Sequence, residues 1–595
     1  MPFFFEELED PMWRFLCSAK KPSRYAGGEW GAIGGETPGK ERVSLCLSFP
    51  DVYEVGMSYL GFQILYEMAS GIEGTRVERS YCPWTDAEAL LREEGVPLCS
   101  LETGSPLSSF DILGFTLQYE LTATNVLTML DLGGVPLRTS LRGEGDPLVV
   151  AGGPGALAPE PISPFIDVFC VGDGELLLPD LLETFASVRG KGRKAILETL
   201  AGIEGFYVPS LPGKLPVKRR VLMDLDEGFV PSRMVVPSAG IIHDRAGVEV
   251  FRGCTRGCRF CQAGMVSRPV RERSPEKVVS IARELLVNSG YEEIGLVSLA
   301  SCDYTGLEKV IDMLAPELEE KKIKLSLPSL RMDAFSVELA DRLEKLGRGG
   351  LTFAPEAGTQ RLRDVINKGI SASDIETTFD EVFSRGWEKI KLYFMMGLPT
   401  ETDRDLEAII DLSRAARARA KSHGTRARIG VSVAGFVPKP HTPFQWDPQD
   451  TVEELARKGN LLKRMSRQAG LSLNYHEPAQ TFLEGVFARG DRSLSSVIEE
   501  AWRMGARFDG WSECFDTQVW MNAFSACKID PLYFTARERG KDEQFPWEVI
   551  DTGVSRSFLF SEREKALAGA LSPDCREGDC LACGWQGCGC PAVRL

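Results

Sequence analysis

The alternation of short apolar strands with helical stretches constrains the fold of this chain more than any other feature. Between residues 241 and 446, six apolar segments recur with helix-like stretches between them: GVEVFRG, EEIGLVSLA, KIKLSLPSL, GGLTFAPE, EKIKLYFMMGLP and RIGVSVAGFVP. One intervening helix is marked by Ser274 as its N-cap, Pro275 at its first position and Gly290 after its end. Such repeats predict parallel strands in a partial (β/α)6 barrel, with functional side chains at the carboxyl ends of the strands.

An earlier part of the chain shows the same alternation with less regularity. The apolar segments RVSLCLSFPD, DILGFTLQY, PLVVAGGPGA and FIDVFCVGDGE are separated by helix-like stretches such as YLGFQILYEMAS and AEALLREEG. This pattern predicts a doubly wound α/β domain whose ligand binds beyond the carboxyl ends of the strands. After the barrel, TVEELARKGNLLKRMSRQAG and SLSSVIEEAWRMGARFDGW predict helices, and DCREGDCLACGWQGCGC is rich in cysteine.

We therefore predict an α/β protein of six segments. They are an N-terminal extension at 1–38, a doubly wound domain at 39–205, a linker arm at 206–240, the partial barrel at 241–446, a mainly helical region at 447–570 and a Cys-rich tail at 571–595. The net charge is -16, so no overall positive field attracts nucleic acid. The absence of a long apolar run and the acidic start predict a cytoplasmic protein with no membrane partner, whose cysteines are reduced.

Three cysteines lie close together just after the first barrel strand. They are Cys254, Cys258 and Cys261 in FRGCTRGCRFCQAG. A structural zinc site normally has four ligands, and the nearest histidine, His243, lies on the other side of the strand. Three thiolates can instead hold three irons of a 4Fe-4S cluster and leave the fourth iron open. A disulfide is disfavoured in a reducing compartment.

This spacing, with Phe260 before the last cysteine and its place after strand one of a six-fold barrel, resembles the radical S-adenosylmethionine (SAM) superfamily. The resemblance implies that SAM binds the open iron and is cleaved by one electron to methionine and a 5′-deoxyadenosyl radical. It also implies an electron donor such as flavodoxin or ferredoxin. It assigns no catalytic residue, because the substrate is unknown.

The resemblance also implies which strand-end residues hold SAM. The candidates, together with Phe260, are Ser301 and Asp303 after strand two, Arg331 after strand three, Glu356 after strand four and Gly397 in the Gly-Pro turn after strand five. A helix cap and turn is an equally good interpretation of Ser301 and Asp303.

The first domain narrows the resemblance to one branch. FPDVYEVGMSYLG, GGPGALAPEPISPFIDVFCVGDGE and the barrel's end, FVPKPHTPFQW, resemble radical SAM proteins with an N-terminal cobalamin-binding domain, near the methylthiotransferases. This implies cobalamin as a further cofactor, methyl transfer as the natural reaction with it, and RNA or a translation component as substrate. Many such domains supply a cobalt-binding histidine from an Asp-x-His-x-x-Gly motif, yet residues 1–242 contain no histidine. Either cobalamin binds without that ligand, or the domain keeps the fold without the cofactor.

The cysteine-rich tail raises a separate metal question. Its five cysteines are enough for a four-ligand site, and they are Cys575, Cys580, Cys583, Cys588 and Cys590. Structural zinc, a second iron-sulfur cluster and a disordered or redox-active tail all remain open. For the whole chain the alternatives to a radical SAM enzyme are a metal-stabilised scaffold and an iron-sulfur electron carrier that does not cleave SAM.

Overall fold

The first part of the chain forms a doubly wound sheet. The computed structural model describes residues 11–33, 43–211, 213–327, 331–334, 350–576 and 580–585. The strands are β1 (Val43–Phe49), β2 (Thr75–Tyr81), β3 (Ile112–Thr116), β4 (Leu148–Gly152), β5 (Val168–Cys170) and β6 (Phe206–Tyr207). Their order is β2-β1-β3-β4-β5-β6, and neighbours are parallel except β5 and β6. In this topology the chain reverses direction across the sheet between β1 and β3, which places the ligand crevice there.

Helices cover both faces of this sheet, and for that reason β1 is buried along its whole length. The helices are α1 (Pro11–Ser18), α2 (Tyr53–Gly56), α3 (Leu60–Ser70), α4 (Thr85–Glu94), α5 (Ala123–Leu132), α6 (Gly174–Val188) and α7 (Arg193–Ala201). β2 escaped the sequence-based prediction because its segment, TRVERSY, carries three charges. Those charges are buried and paired: Arg79 contacts Glu29 at 3.0 Å and Glu102 at 2.6 Å.

A second set of parallel strands forms the partial barrel. The strands after the first sheet are β7 (Val217–Lys218), β8 (Ala246–Glu249), β9 (Phe251–Arg252), β10 (Arg271–Glu272), β11 (Glu293–Val297), β12 (Lys324–Ser326), β13 (Leu351–Glu356), β14 (Lys389–Met396), β15 (Arg428–Gly435), β16 (Ser472–Tyr475) and β17 (Ile550–Asp551). The barrel strands pair in the orders β12-β11-β8 and β13-β14-β15-β16. Each of the six predicted strand segments contains an observed strand.

The barrel helices follow their strands as expected. They are α8 (Gln262–Val266), α9 (Pro275–Ser289), α10 (Leu307–Lys321), α11 (Gln360–Val365), α12 (Ala372–Ser384) and α13 (Asp403–Ser422). The predicted caps of α9 are confirmed: the Ser274 hydroxyl accepts a hydrogen bond from the Lys277 N–H, and Gly290 ends the helix with a left-handed backbone (φ 72°).

Helices dominate the last part of the chain. They are α14 (Val452–Ala469), α15 (Pro478–Ala488), α16 (Leu494–Arg503), α17 (Thr517–Cys527), α18 (Leu532–Thr535) and α19 (Arg556–Leu567). β16 lies among them but pairs in parallel with β15, so the barrel sheet continues beyond residue 446. The boundaries of the six predicted segments stay predictions. Within the described ranges, no helix is both long and apolar enough to span a membrane.

Candidate cofactor site

The loop between β8 and α8 carries the three clustered cysteines, Cys254, Cys258 and Cys261. Gly257 has a positive φ of 71°, which side-chain-bearing residues rarely adopt, and this lets the loop turn between the first two cysteines. Cys261 caps α8, because its Sγ accepts a hydrogen bond from the Gly264 N–H at 3.3 Å. A Cβ on Gly264 would lie within 4 Å of both Cys261 and Cys254, so the two ends of the loop approach each other.

The thiols influence each other's protonation. Burial raises the pKa of Cys254 and raises the pKa of Cys261 to about 12, and the nearby Cys258 raises both further. Two nearby cations oppose this effect: Arg331 lowers the pKa of Cys254, and Lys368 lowers the pKa of Cys261. Ligation of a metal cluster would release the thiol protons, and the two cations would offset the resulting negative charge.

The donor set fits an iron-sulfur cluster better than a single metal ion. Within the part of the chain that the structure describes, no three His, Cys, Asp or Glu side chains are placed to hold one metal ion. Three half-buried thiols with no fourth ligand beside them among the described residues suit a cluster with one open iron.

The two predicted SAM residues after β11 lie beside the cysteine loop, but protein groups already occupy their polar atoms. The Ser301 hydroxyl donates to the Leu296 carbonyl at 3.1 Å and accepts from Ser298. The Asp303 carboxylate accepts a hydrogen bond from Arg256 Nε at 2.9 Å. In this arrangement both residues support the loop and its surroundings.

The predicted residues after the next two strands sit in a charged group near the thiols. Arg331 donates to Asp333 at 3.0 Å and to the Lys368 carbonyl at 2.8 Å. Burial by itself would lower the pKa of Arg331, but Cys258 and Asp333 raise it overall. Glu356 ends β13 with a left-handed backbone (φ 67°), and Lys368 Nζ donates to its Oε1 at 3.1 Å. A strained residue at a strand end is typical of a functional site.

Phe260 and Gly397 share an apolar cluster on the same side. Phe260 packs against a core that includes Ala357, next to Glu356, and Leu398, next to Gly397. The Gly397 N–H donates to Glu401 at 2.8 Å, and its φ of 87° suits glycine. The turn after β14 thus lies close to the cysteine loop, and the SAM contacts of Phe260 and Gly397 stay predictions.

The last part of the chain covers the cysteine loop, which the sequence did not suggest. The fully buried Arg259 pairs with Glu562 at 3.1 Å and donates to the Ala570 carbonyl at 2.7 Å. Arg256 pairs with Asp574 at 3.4 Å. The charged residues inside FRGCTRGCRFCQAG were the available signal, but partners more than 300 positions away cannot be identified from spacing.

The tail cysteines are only partly described. Cys575 is buried, Cys583 is half-buried and Cys580 is exposed, while Cys588 and Cys590 lie outside the described residues. The three described thiols belong to no metal-holding group of described side chains. Zinc or a second cluster in the tail stays a prediction.

A cavity of about 790 Å³ lies between the first sheet and the barrel. Its lining combines strand ends of the first sheet, the start of α6, β8 and α8, as shown by Leu47, Thr116, Gly152, Glu175, Gly247 and Ala263. Most of this lining is apolar, and Gln118 Nε2 has no hydrogen-bond partner among the described residues. The cavity therefore joins the predicted ligand crevice to the helix that begins at the third cysteine.

The structure adds a histidine that the sequence argument set aside. His243, which lies between the linker arm and β8, lines the cavity. The spacing of the cobalt-binding motif recurs after β1 with Tyr53 in the histidine position, flanked by Asp51 and Gly56. Tyr53 is buried, and its hydroxyl accepts a hydrogen bond from the Ser238 N–H at 3.2 Å. The sequence argument considered His243 only as a zinc ligand, because it follows the predicted end of the first domain.

Two family models match the chain. Residues 61–209 match the model for the N-terminal domain of radical SAM proteins, and residues 248–413 match the radical SAM superfamily model, which contains the three-cysteine loop. Fold and site thus define a radical SAM enzyme, a class that uses a 4Fe-4S cluster and SAM. The chain belongs to the radical SAM superfamily, near the methylthiotransferases.

Individual relatives are more distant. An uncharacterized protein of Methanocaldococcus jannaschii is 29% identical over 412 residues, covering 69% of this chain and 84% of the relative. The ribosomal protein uS12 methylthiotransferase of Desulfotalea psychrophila is 26% identical and matches 42% of this chain but only 57% of its own length. The solved structure of the radical SAM methyltransferase TsrM from Kitasatospora setae has 16% identity and a TM-score of 0.48, covering 70% of this chain and 78% of that chain. Similarity to a solved structure at this identity does not show which ligands this chain binds.

Proposed function

We propose that this protein is a radical SAM methyltransferase that holds its 4Fe-4S cluster at Cys254, Cys258 and Cys261 and cobalamin in the cavity. The observation that carries the proposal is the continuity of the cavity. It extends from the carboxyl ends of β1, β3 and β4 to α8, whose N-cap is Cys261. A cofactor in the crevice of the first sheet would therefore lie beside the cluster loop.

The chain's own groups suit these cofactors. Together the cluster, SAM and cobalamin supply one-electron chemistry and a transferable methyl group. Arg331 and Lys368 offset the negative charge of the thiolates, and the Gly264 N–H holds Cys261 in place. The C-terminal segment over Arg259 keeps water from the outer side of the loop.

The apolar cavity suits a large cofactor with a few polar edges. Leu47, Val150 and Phe251 line it, and the strand-end glycines Gly114 and Gly152 allow close approach to the backbone. Gln118 Nε2 is a donor available for a carbonyl on the ligand.

We further propose that SAM contacts Glu356, Gly397 and Phe260, and that Ser301, Asp303 and Arg331 position the loop that binds it. The support is geometric: Phe260 packs in one apolar cluster with Ala357 and Leu398, the neighbours of Glu356 and Gly397. Asp303, in contrast, is bonded to Arg256 of the cysteine loop, and Ser301 and Arg331 are bonded to protein groups near it. The substrate we propose is a component of the translation apparatus, in line with relatives named for uS12 and for tRNA.

Anaerobic reconstitution tests the proposal. Protein loaded with iron and sulfide should contain about four irons per chain, bind one cobalamin, and release 5′-deoxyadenosine or methylated product from SAM with a strong reductant. Protein that gains a cluster but never consumes SAM would favour an electron carrier. Protein that consumes SAM but never binds cobalamin would remove the methyltransferase assignment and leave the radical SAM chemistry in place.

A further inference from the structure

Four arginines and three carboxylates line the cavity. Three of these arginines have carboxylate partners inside or beside the lining. The pairs are Arg252 with Glu249 at 2.8 Å, Arg271 with Asp173 at 2.5 Å, and Arg245 with Glu293 at 3.1 Å. The fourth, Arg219, is the lining arginine for which the described residues provide no such partner.

Arg219 is only 9% exposed and has no carboxylate within ion-pair distance among the described residues. Its guanidinium donates to the backbone carbonyl of Arg268, and its Nε has no hydrogen-bond partner. Burial lowers the pKa of Arg219 to about 10 despite the attraction of Asp173. A buried cation without an ion-pair partner is costly to the fold, and an anionic ligand would offset that cost.

The backbone fixes Arg219 beside the start of α6. Its neighbour Arg220 donates its N–H to the Val171 carbonyl at 3.0 Å and accepts from the Asp173 N–H at 3.0 Å. α6 begins at the next residue, Gly174, and its first turn lines the cavity. The positive end of a 15-residue helix and an unpaired guanidinium thus meet at one wall.

Two neighbours strengthen this arrangement. The Arg219 guanidinium carbon lies 5.5 Å from the centre of the Trp585 ring, which limits its freedom. Arg268, only 4% exposed, also has Nη1 and Nη2 without hydrogen-bond partners among the described residues. Both guanidinium groups therefore carry unpaired donors, while the carboxylate of the nearby Asp173 is paired with Arg271.

We infer that Arg219 and the N-terminus of α6 form a subsite for a phosphate-type oxyanion of the molecule that fills the cavity. The inference rests on the proposed use of the cavity as a cofactor or substrate site. The oxyanion has two sources: the phosphodiester of cobalamin, or a phosphate of a substrate nucleotide. Arg guanidinium binds such oxygens through paired hydrogen bonds.

Corrinoid binding separates the first source from the second. Cobalamin carries the phosphodiester, whereas cobinamide has the same ring without it. Wild-type protein should bind cobalamin at least about tenfold more tightly than cobinamide by absorbance titration, a typical effect of one charged hydrogen bond. Arg219→Met should remove this preference and leave cobinamide affinity unchanged. Arg245→Met, which removes a lining arginine already balanced by Glu293, should keep the preference.

Calorimetry with inorganic phosphate tests the same subsite without a corrinoid. If the wild type binds neither corrinoid, the cobalamin assignment is wrong, and phosphate binding that Arg219→Met abolishes identifies the substrate as the source. If both corrinoids bind equally, phosphate binding that Arg219→Met abolishes likewise identifies the substrate as the source of the oxyanion. If phosphate binding is absent or equal in the two proteins, and no Arg219-dependent corrinoid preference exists, the subsite does not exist.

Thermal unfolding of ligand-free protein distinguishes a binding role from a structural one. Removing an unpaired buried charge should leave the melting temperature of Arg219→Met equal to or above that of the wild type. A lower melting temperature combined with an unchanged cobalamin preference would show that Arg219 serves the fold alone.

Discussion

Glu356 combines a left-handed backbone with an ion pair to Lys368 at the end of β13. A residue with a side chain keeps such a backbone only where its surroundings require it, and the carboxylate is positioned to accept hydrogen bonds from two hydroxyls. Glu356 is therefore the strongest candidate among the proposed SAM contacts.

Replacing Glu356 by glutamine keeps the shape of the side chain and removes its charge. We expect SAM affinity to fall by roughly 10- to 100-fold, the effect of losing charged hydrogen bonds. Cluster content should not change, because Glu356 is not a thiol ligand. Equilibrium dialysis with labelled SAM measures the effect, with the exposed Glu320→Gln as control. Equal affinity in both variants would exclude Glu356 from the SAM site.

Cys258→Ala removes one of the three proposed cluster ligands. Iron content and the visible absorbance of the reconstituted protein should fall to background, and 5′-deoxyadenosine formation should stop. Cys302→Ser is the matched control, since Cys302 is half-buried near Asp303 but lies outside the loop. A full complement of iron in Cys258→Ala would place the cluster elsewhere.

Local spacing determined how much of the site could be predicted. The three cysteines lie within one short loop, so their spacing alone indicated a three-ligand site. The partners of Arg256 could not be found in this way, because Asp303 and Asp574 reach it from separate parts of the chain. The same fold brings Asp303 against Arg256 of the loop, and the SAM contact expected of Asp303 from the sequence stays a prediction.

At the scale of elements, α19 acts as the outer support of the cysteine loop. Its Glu562 pairs with the buried Arg259, and its Oε atoms also accept from Ser572 at 2.7 and 2.8 Å. Burial would raise the pKa of Glu562, but its hydrogen-bond and charge partners lower it overall, so the carboxylate stays ionised. Both side chains of the Arg259–Glu562 pair are buried away from water.

Breaking this pair should weaken α19 and the loop together. Glu562→Gln leaves Arg259 buried without a counter-charge, which costs about 3–5 kcal/mol of stability. The double variant Arg259→Met with Glu562→Leu removes both charges and should recover most of that loss. Urea unfolding and the rate of cluster loss in air report the two effects. If the double variant is as unstable as the single one, packing and not charge holds the element.

Element prediction succeeded where residue patterns are regular. The six barrel strands and the caps of α9 follow directly from apolar runs and from Ser, Pro and Gly at defined positions. β2 and β16 were missed for a physical reason. β2 buries ion pairs inside a sheet, and β16 is a half-exposed strand of four residues, so neither has an apolar run of its own.

At the scale of the whole molecule, polar contacts join the first sheet to the C-terminal helices. Trp511 Nε1 donates to Asp51 at 3.0 Å, and Thr124 donates to Asp509 at 2.6 Å. Burial raises the pKa of both carboxyl groups to about 6. The folded state therefore holds protons on them that an unfolded chain releases near pH 4.

Because the folded state binds these two protons more tightly than the unfolded chain does, the folded state loses stability as pH rises from about 4 to about 6. A shift of two pKa units corresponds to about 3 kcal/mol for each group. Asp509→Asn cannot ionise, so its urea midpoint relative to the wild type should rise between pH 4.5 and pH 7.5. The exposed Asp542→Asn should show no such change. A constant difference for Asp509→Asn would mean that Asp509 ionises normally in the fold.

The cavity belongs to this scale as well, and the sequence could not have described it. Each domain type was predictable, but the lining is shared by strand ends of the first sheet, the arm and α8. Arg219 comes from the linker arm, which has no regular pattern beyond its prolines, and His243 comes from the few residues between the arm and β8. Segments of this kind acquire a role only when two domains pack around them.

The distance along the chain between the cysteine loop and its cover has a consequence for biosynthesis. Arg259 and Glu562 are 303 residues apart, and a polypeptide is made from its N-terminus. At about 5–20 residues per second, the loop leaves the ribosome tens of seconds before α19 exists. During that interval the three thiols lack their outer cover and are open to iron delivery, and completion of the chain then encloses whatever they have acquired.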